Sequence, residues 1–272
     1  MLIYYEDLIK EEFMAAIAQI TIIDQAWLNK NRNQKIDDPF SARLQKYAGE
    51  TRGTSRMLDV VRKSIRLGNQ TAREVGIGFS RRAAQFDSNL GVGASAIGLA
   101  GLPSATLGAM KSLSELTQKD DGVPLTRKVA KAFRNTLQTM AGYGFAAFFI
   151  IANPAMGAGA QLFSLASKFA SFHLTSEDYT KSFRLEAAAT GEAKIALSHS
   201  RHYYFLSVAR DIIAIATAVL GLTLAMTGLE ILPTIGFVAL SLCGSLVAIQ
   251  KDFYKDAGKY KVVPFDREVA II

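Results

Sequence analysis

The sequence predicts an all-α fold: a helical membrane protein with a C-terminal transmembrane hairpin and amphipathic cytoplasmic helices. Three observations lead there. Residues 212–250 read IIAIATAVLGLTLAMTGLEILPTIGFVALSLCGSLVAIQ, with Glu230 the one charge in 39 residues. Glu230 separates 18 uncharged residues from 20, and roughly 20 are needed to cross a hydrocarbon core as a helix. Basic residues flank the run, Arg201 and Arg210 before it and Lys251 and Lys255 after it, which places both flanks on the cytoplasmic side. The competing reading is a pair of core helices in a soluble bundle.

Composition agrees with this division. Half of the 272 residues are hydrophobic and 20% are charged, below the roughly 25% usual for soluble domains. The apolar residues are clustered between charged blocks. A net charge of +7 favours anionic lipid or an acidic partner. The single cysteine, Cys243, lies in an apolar run. It has no internal disulfide partner and reads as a buried, inert thiol. Met1–Tyr5 lacks a positive n-region, and acidic residues follow at once, so no standard signal peptide is expected.

In order, residues 1–87 read as an amphipathic, basic helical region. Leu2–Leu28 is expected to be helical, with Leu8, Ile9, Phe13, Ile17 and Ile20 at helical spacing. Trp27 reads as a core residue. Residues 29–39 are polar and read as a loop. Next comes the most cationic stretch. Arg56, Arg62, Lys63, Arg66, Arg73, Arg81 and Arg82 alternate with Leu58, Val61, Ile65 and Leu67. Such a helix binds an anionic membrane surface or forms the solvated face of a bundle. No nucleic-acid motif accompanies the arginines.

Residues 88–171 form a Gly/Ala-rich apolar region with a polar linker. Its uncharged runs are 88–110 and 135–167. The first reads as an insertion or as buried packing. Asp120-Asp121-Gly122 marks a turn rather than a calcium loop. The second run reads as a single tilted span or as a re-entrant hairpin turning at Asn153-Pro154, with arms of about 15 residues.

Residues 172–211 read as a polar helical linker. His199 and His202 have the spacing of two zinc ligands on one helix, yet no cysteine or acidic ligand motif accompanies them. A surface pair is the expectation. Tyr203, Tyr204 and Phe205 suggest an interfacial aromatic belt. Asp211 is expected to pair with Arg210 or Arg201 and to snorkel or cap at the membrane edge, with an ion path as the sharper alternative. Residues 212–250 are the transmembrane hairpin. Glu230 and Pro233 mark its turn, because proline lacks an N–H and suits a helix's first turn. Residues 251–272 are a charged tail, and its last four residues are expected to dock on a partner or pack back.

No catalytic set, metal site or cofactor fingerprint emerges. A thiolate at Cys243 would be poorly solvated, which argues against a nucleophile.

The bilobed form of 212–229, Glu230 and 231–250 resembles the chlamydial inclusion-membrane protein class. That class carries two spans joined by a very short loop. The resemblance implies type III secretion, residence in a host-derived inclusion membrane, and both flanks facing host cytosol to recruit host factors. The match covers about 40 residues. Arg62-Lys63-Ser64-Ile65-Arg66-Leu67-Gly68-Asn69 is similar to an arginine-rich stretch of the peroxisomal membrane-elongation family. That likeness implies membrane shaping by an amphipathic helix.

The leading expectation is a non-enzymatic, multi-pass integral membrane protein. Anionic lipid and a protein partner at the cytoplasmic segments are its expected partners, with homo-oligomers as a further expectation. The alternatives are a membrane-shaping protein, a small oligomeric transporter or channel, and a soluble helical bundle.

Overall fold

A computed structural model describes residues 20–33, 40–74, 99–118, 122–151, 154–227 and 232–271. These are mostly helical. A strand β1 (Ile20–Ile23) precedes α1 (Gln25–Lys30), α2 (Phe40–Gly49) and α3 (Thr51–Glu74). Then come α4 (Leu102–Ser114), α5 (Leu125–Ile151), α6 (Pro154–Ala188), α7 (Gly191–Thr227) and α8 (Leu232–Lys255). A second strand, β2 (Glu268–Ile271), closes the described chain.

Helices α5 to α8 form an up-and-down bundle. Each packs on the next, α4 lies on the outer side of α5, and α3 lies on α8. At 1.5 Å per residue, α7 with its 37 residues is about 55 Å long. The close approach of α5 to α6 depends on Gly144. A Cβ there would stand 2.9 Å from that of Ala160.

Charge divides α5, α6 and α7 into a charged and an uncharged part, and in α8 it is confined to residues 251–255. Helix α5 is basic through Arg134 and then uncharged to Ile151. Helix α6 is uncharged until Lys168. Helix α7 carries its last charge at Asp211, and α8 its first at Lys251. Side-chain bonds show that the boundaries of α5, α6 and α7 lie near one height, whereas that of α8, at Lys251, lies seven residues past Gly244. Ser167 donates to the carbonyl of Arg134 at 3.2 Å, and Ser171 to Asp211 at 2.9 Å. Gly244 of α8 meets Ile213 of α7. The result is a polar base and an uncharged upper half.

The apolar arms expected in 135–167 are thus the upper parts of helices of 27 and 35 residues. Residues 172–211, read as a linker, are the lower halves of α6 and α7. Helix α8 begins at Leu232, so Pro233 sits in a first turn. Glu230 and Asn153 lie outside the described residues.

The main buried cluster is in the base. Ile23, Leu28, Ala196, Leu197, Tyr260 and Phe265 meet there, and Trp27 packs against it as expected. Asp24 caps α1 by accepting from the Trp27 N–H at 2.7 Å, which satisfies an otherwise orphaned donor.

The expected helix over Leu2–Leu28 is corrected at its end: Ile20–Ile23 is a strand. Its ITII sequence is β-branched at every position, and pleated backbone accommodates such residues well. It pairs in parallel with Glu268–Ile271, with Ile20 opposite Glu268 and Ile23 opposite Ile271. The tail therefore packs back onto the protein. The expected loop also starts later, because α1 runs to Lys30. The backbones of Asn31 and Asn33 then bond those of Lys261 and Lys259 at 2.9 and 2.8 Å.

Candidate functional site

The largest concentration of unusual chemistry is a cavity of about 630 Å³ at the height where the charged and uncharged halves meet. Five helices wall it. Helix α3 contributes Arg56, Asp59 and Lys63, and α5 contributes Arg134 and Gln138. Helix α6 adds Ser167, Lys168 and Ser171; α7 adds Arg210 and Thr217; α8 adds Ser241, Gly244 and Ser245. Among the described residues, five cations and one carboxylate therefore line the space.

The α3 wall is held by a polar seam. Lys63 donates to Asp59 at 2.5 Å and to Ser245 Oγ at 2.8 Å, while Ser245 donates to Asp59 at 2.7 Å. Arg56 pairs with Asp252 and donates to the carbonyl of Ala248 at 2.6 Å. Tyr47 of α2 donates to the same Asp252 at 3.2 Å. Seen along the chain, Arg56 meets residues 248–252 and Lys63 meets 241–245. Helix α3 therefore rises antiparallel to α8.

Behind the opposite wall, next to the lining residues Ser171 and Arg210, Asp211 is 1% exposed. It accepts from Ser171 at 2.9 Å and Thr175 at 3.0 Å, and pairs with Arg210 at 2.5 Å. Snorkelling or capping is thus corrected: Asp211 is enclosed between α6 and α7. The expected pairing with Arg210 is present, while Arg201 pairs with Glu186 at 3.0 Å. Burial pushes Lys168 below its ordinary value; Arg210 and Arg134 add to the effect and Asp211 opposes it. Burial also lowers Arg134.

The predicted basic surface is divided by this geometry. Arg56 and Lys63 face α8. Arg62 is half-buried, Arg66 and Arg73 are exposed, and Arg81 and Arg82 lie outside the described residues. Arg134, Lys168 and Arg210 were not singled out as one site by the sequence. Each borders an uncharged run, and that shared position was the available signal.

Several further expectations change. Cys243 is exposed rather than buried, because the inner face of α8 is taken by Ser241, Gly244, Ser245 and Ala248. His199 is buried and stacks on Tyr254 with ring centroids 4.8 Å apart, whereas His202 is exposed. The surface pair is half correct. Among the described residues no group of three His, Cys, Asp or Glu side chains could hold a metal. Tyr204 is buried and donates to the carbonyl of Val263 at 3.0 Å, so it does not belong to an aromatic belt.

Two helices, Gly191–Thr223 and Ile235–Lys255, are long and apolar enough to cross a membrane by length and composition. No protein-family model, curated protein or solved structure matches this chain.

Proposed function

We propose that this chain is a non-enzymatic integral membrane protein. The uncharged upper halves of α5 to α8 lie in the bilayer, and the polar base stands at one face to meet lipid or protein partners. The observation that supports this is the common height of the charge boundaries at Arg134, Lys168 and Asp211. A bilayer imposes one such boundary on every crossing helix. Exposed Ile150, Ile151 and Leu162 add apolar outer surface to the upper half. The likeness to the inclusion-membrane class adds recruitment of a host protein by the base.

Alkaline carbonate washing tests the assignment. The full chain is expected to remain with the membrane pellet. Release into the supernatant overturns the integral reading.

One observation favours a second reading, a soluble helical bundle. Arg66 and Arg73 are exposed on α3, which climbs beside the uncharged part of α8. Charges at that depth are costly in lipid. This reading predicts a monodisperse protein without detergent, and aggregation without detergent counts against it.

A further inference from the structure

The cavity walls do not balance their own charge. Arg56 has Asp252, Lys63 has Asp59, and Arg210 has Asp211. Among the described residues Arg134 donates only to the neutral Asn135 side chain, at 3.1 and 3.0 Å. Lys168 lines the same cavity, and among the described residues its ammonium has neither a hydrogen-bond partner nor a carboxylate within 4 Å. Two partly buried cations thus share a space with a third, Arg210, and the enclosed Asp211, which already pairs with Arg210, is among the described residues the one carboxylate that attracts all three. Removing charge from water is costly unless an opposite charge and hydrogen bonds replace the solvent.

We propose that the cavity binds a phosphate-type oxyanion, held by Arg134 and Lys168 with Arg210 beside them. A phosphate group suits this arrangement better than a carboxylate. It offers more acceptor oxygens and carries up to two charges, so it can accept from a guanidinium fork and an ammonium together. The volume of about 630 Å³ leaves space for the rest of a phosphate-bearing molecule. Its chemistry is that of a phosphomonoester or phosphodiester, supplied by a lipid headgroup or by a free solute. The inference stands on the charge and geometry of the cavity and does not require a bilayer; only the lipid source does.

Thermal unfolding of the purified full chain tests it. In detergent, inorganic phosphate is compared with sodium chloride at equal ionic strength. In lipid discs, phosphatidylcholine is compared with phosphatidylcholine containing phosphatidic acid. Binding to the folded state is expected to raise the midpoint by a few degrees. A rise with inorganic phosphate identifies a free oxyanion, and a rise with phosphatidic acid alone identifies a headgroup. Lys168→Met and Arg134→Met should each abolish the rise. Each should unfold no earlier than wild type when no anion is present, because an uncompensated charge has gone. Arg66→Gln, outside the cavity, should keep the rise. Calorimetric titration with the same probe should show at least about a tenfold loss of affinity in Lys168→Met. The proposal is overturned if neither probe stabilises the protein, if sodium chloride matches phosphate, or if the Met variants keep wild-type affinity.

Discussion

The Arg127 guanidinium donates to Asp178 at 2.7 Å where α5 meets α6, with both side chains nearly enclosed. Glu177 and Asp266 also lie within 3.4 and 3.3 Å of the same guanidinium. Arg127 therefore faces three carboxylates, one of which, Glu177, also pairs with Lys181 at 2.6 Å. Asp266 belongs to the tail, so this cluster also fastens the tail to the bundle.

That excess of negative charge has a pH signature. Burial pushes Asp178 up to about 6; Arg127 pulls the other way, and Asp266 and Glu177 add repulsion. The folded state then binds this proton more tightly than the unfolded state. The Asp178 contribution is complete below the ordinary value of 3.8 and is lost as pH rises through about 6. Glu177 acts in the opposite sense. Burial raises it, but Lys181 and Arg127 lower it further. The readout is therefore a difference: between pH 4 and 6, Asp178→Asn should lose a downward slope of unfolding midpoint against pH that wild type contains. Identical slopes would refute the assignment.

Gly258 closes over the ring of His199. A Cβ at Gly258 would lie 2.4 Å from that ring, and Tyr254 stacks on the same ring at 4.8 Å. Gly258→Ala should cost about 1–3 kcal/mol by overpacking. His199→Ala in the same chain should recover part of that loss. Denaturant unfolding of the two single variants and the double variant measures the coupling. A cost for Gly258→Ala that is the same with and without the histidine would exclude this contact as its cause.

Basic residues on α3 should divide into two groups. Lys63→Glu places a second carboxylate beside Asp59 and removes the donor to Ser245. It should loosen α3 from α8, seen as faster proteolysis within α3. Arg66→Glu with Arg73→Glu should leave proteolysis unchanged and weaken binding to acidic vesicles, because both side chains are exposed. The same proteolysis pattern for both variants would argue against the seam.

Cys243 offers a direct probe of the membrane assignment. It is exposed on α8 within the uncharged half. In detergent-free membranes it should resist a charged, water-soluble maleimide, and denaturation should make it react. Rapid labelling in intact membranes would place this face of α8 in water.

The sequence made the helices legible because charge and apolar runs alternate at helix length. The neighbouring helices α7 and α8 were readable from two uncharged runs of helix length, and the Arg210–Asp211 pair from adjacency. The strand at Ile20–Ile23 was not, because its partner lies almost the whole described chain away and supplies what propensity alone leaves open. The cavity was hidden for a related reason. Arg134, Lys168 and Arg210 meet only when three helices take one relative height, and that height is set by contacts such as Ser167 to Arg134 and Ser171 to Asp211. Burial of Tyr204 and Asp211 likewise depends on which face α7 turns to its neighbours.

The parallel pairing of β1 with β2 imposes a parity rule. Ile20–Ile23 and Glu268–Ile271 must occupy the same compartment to share a ladder. With the upper halves of the bundle in a bilayer, the chain between them has to cross an even number of times. Four crossings, one by each of the alternating helices α5, α6, α7 and α8, would satisfy this. A variant with α5 deleted alone would leave one strand on the wrong side, whereas deletion of α5 and α6 together preserves the balance. On the membrane reading, topology would thus be constrained by eight residues of backbone at the polar base.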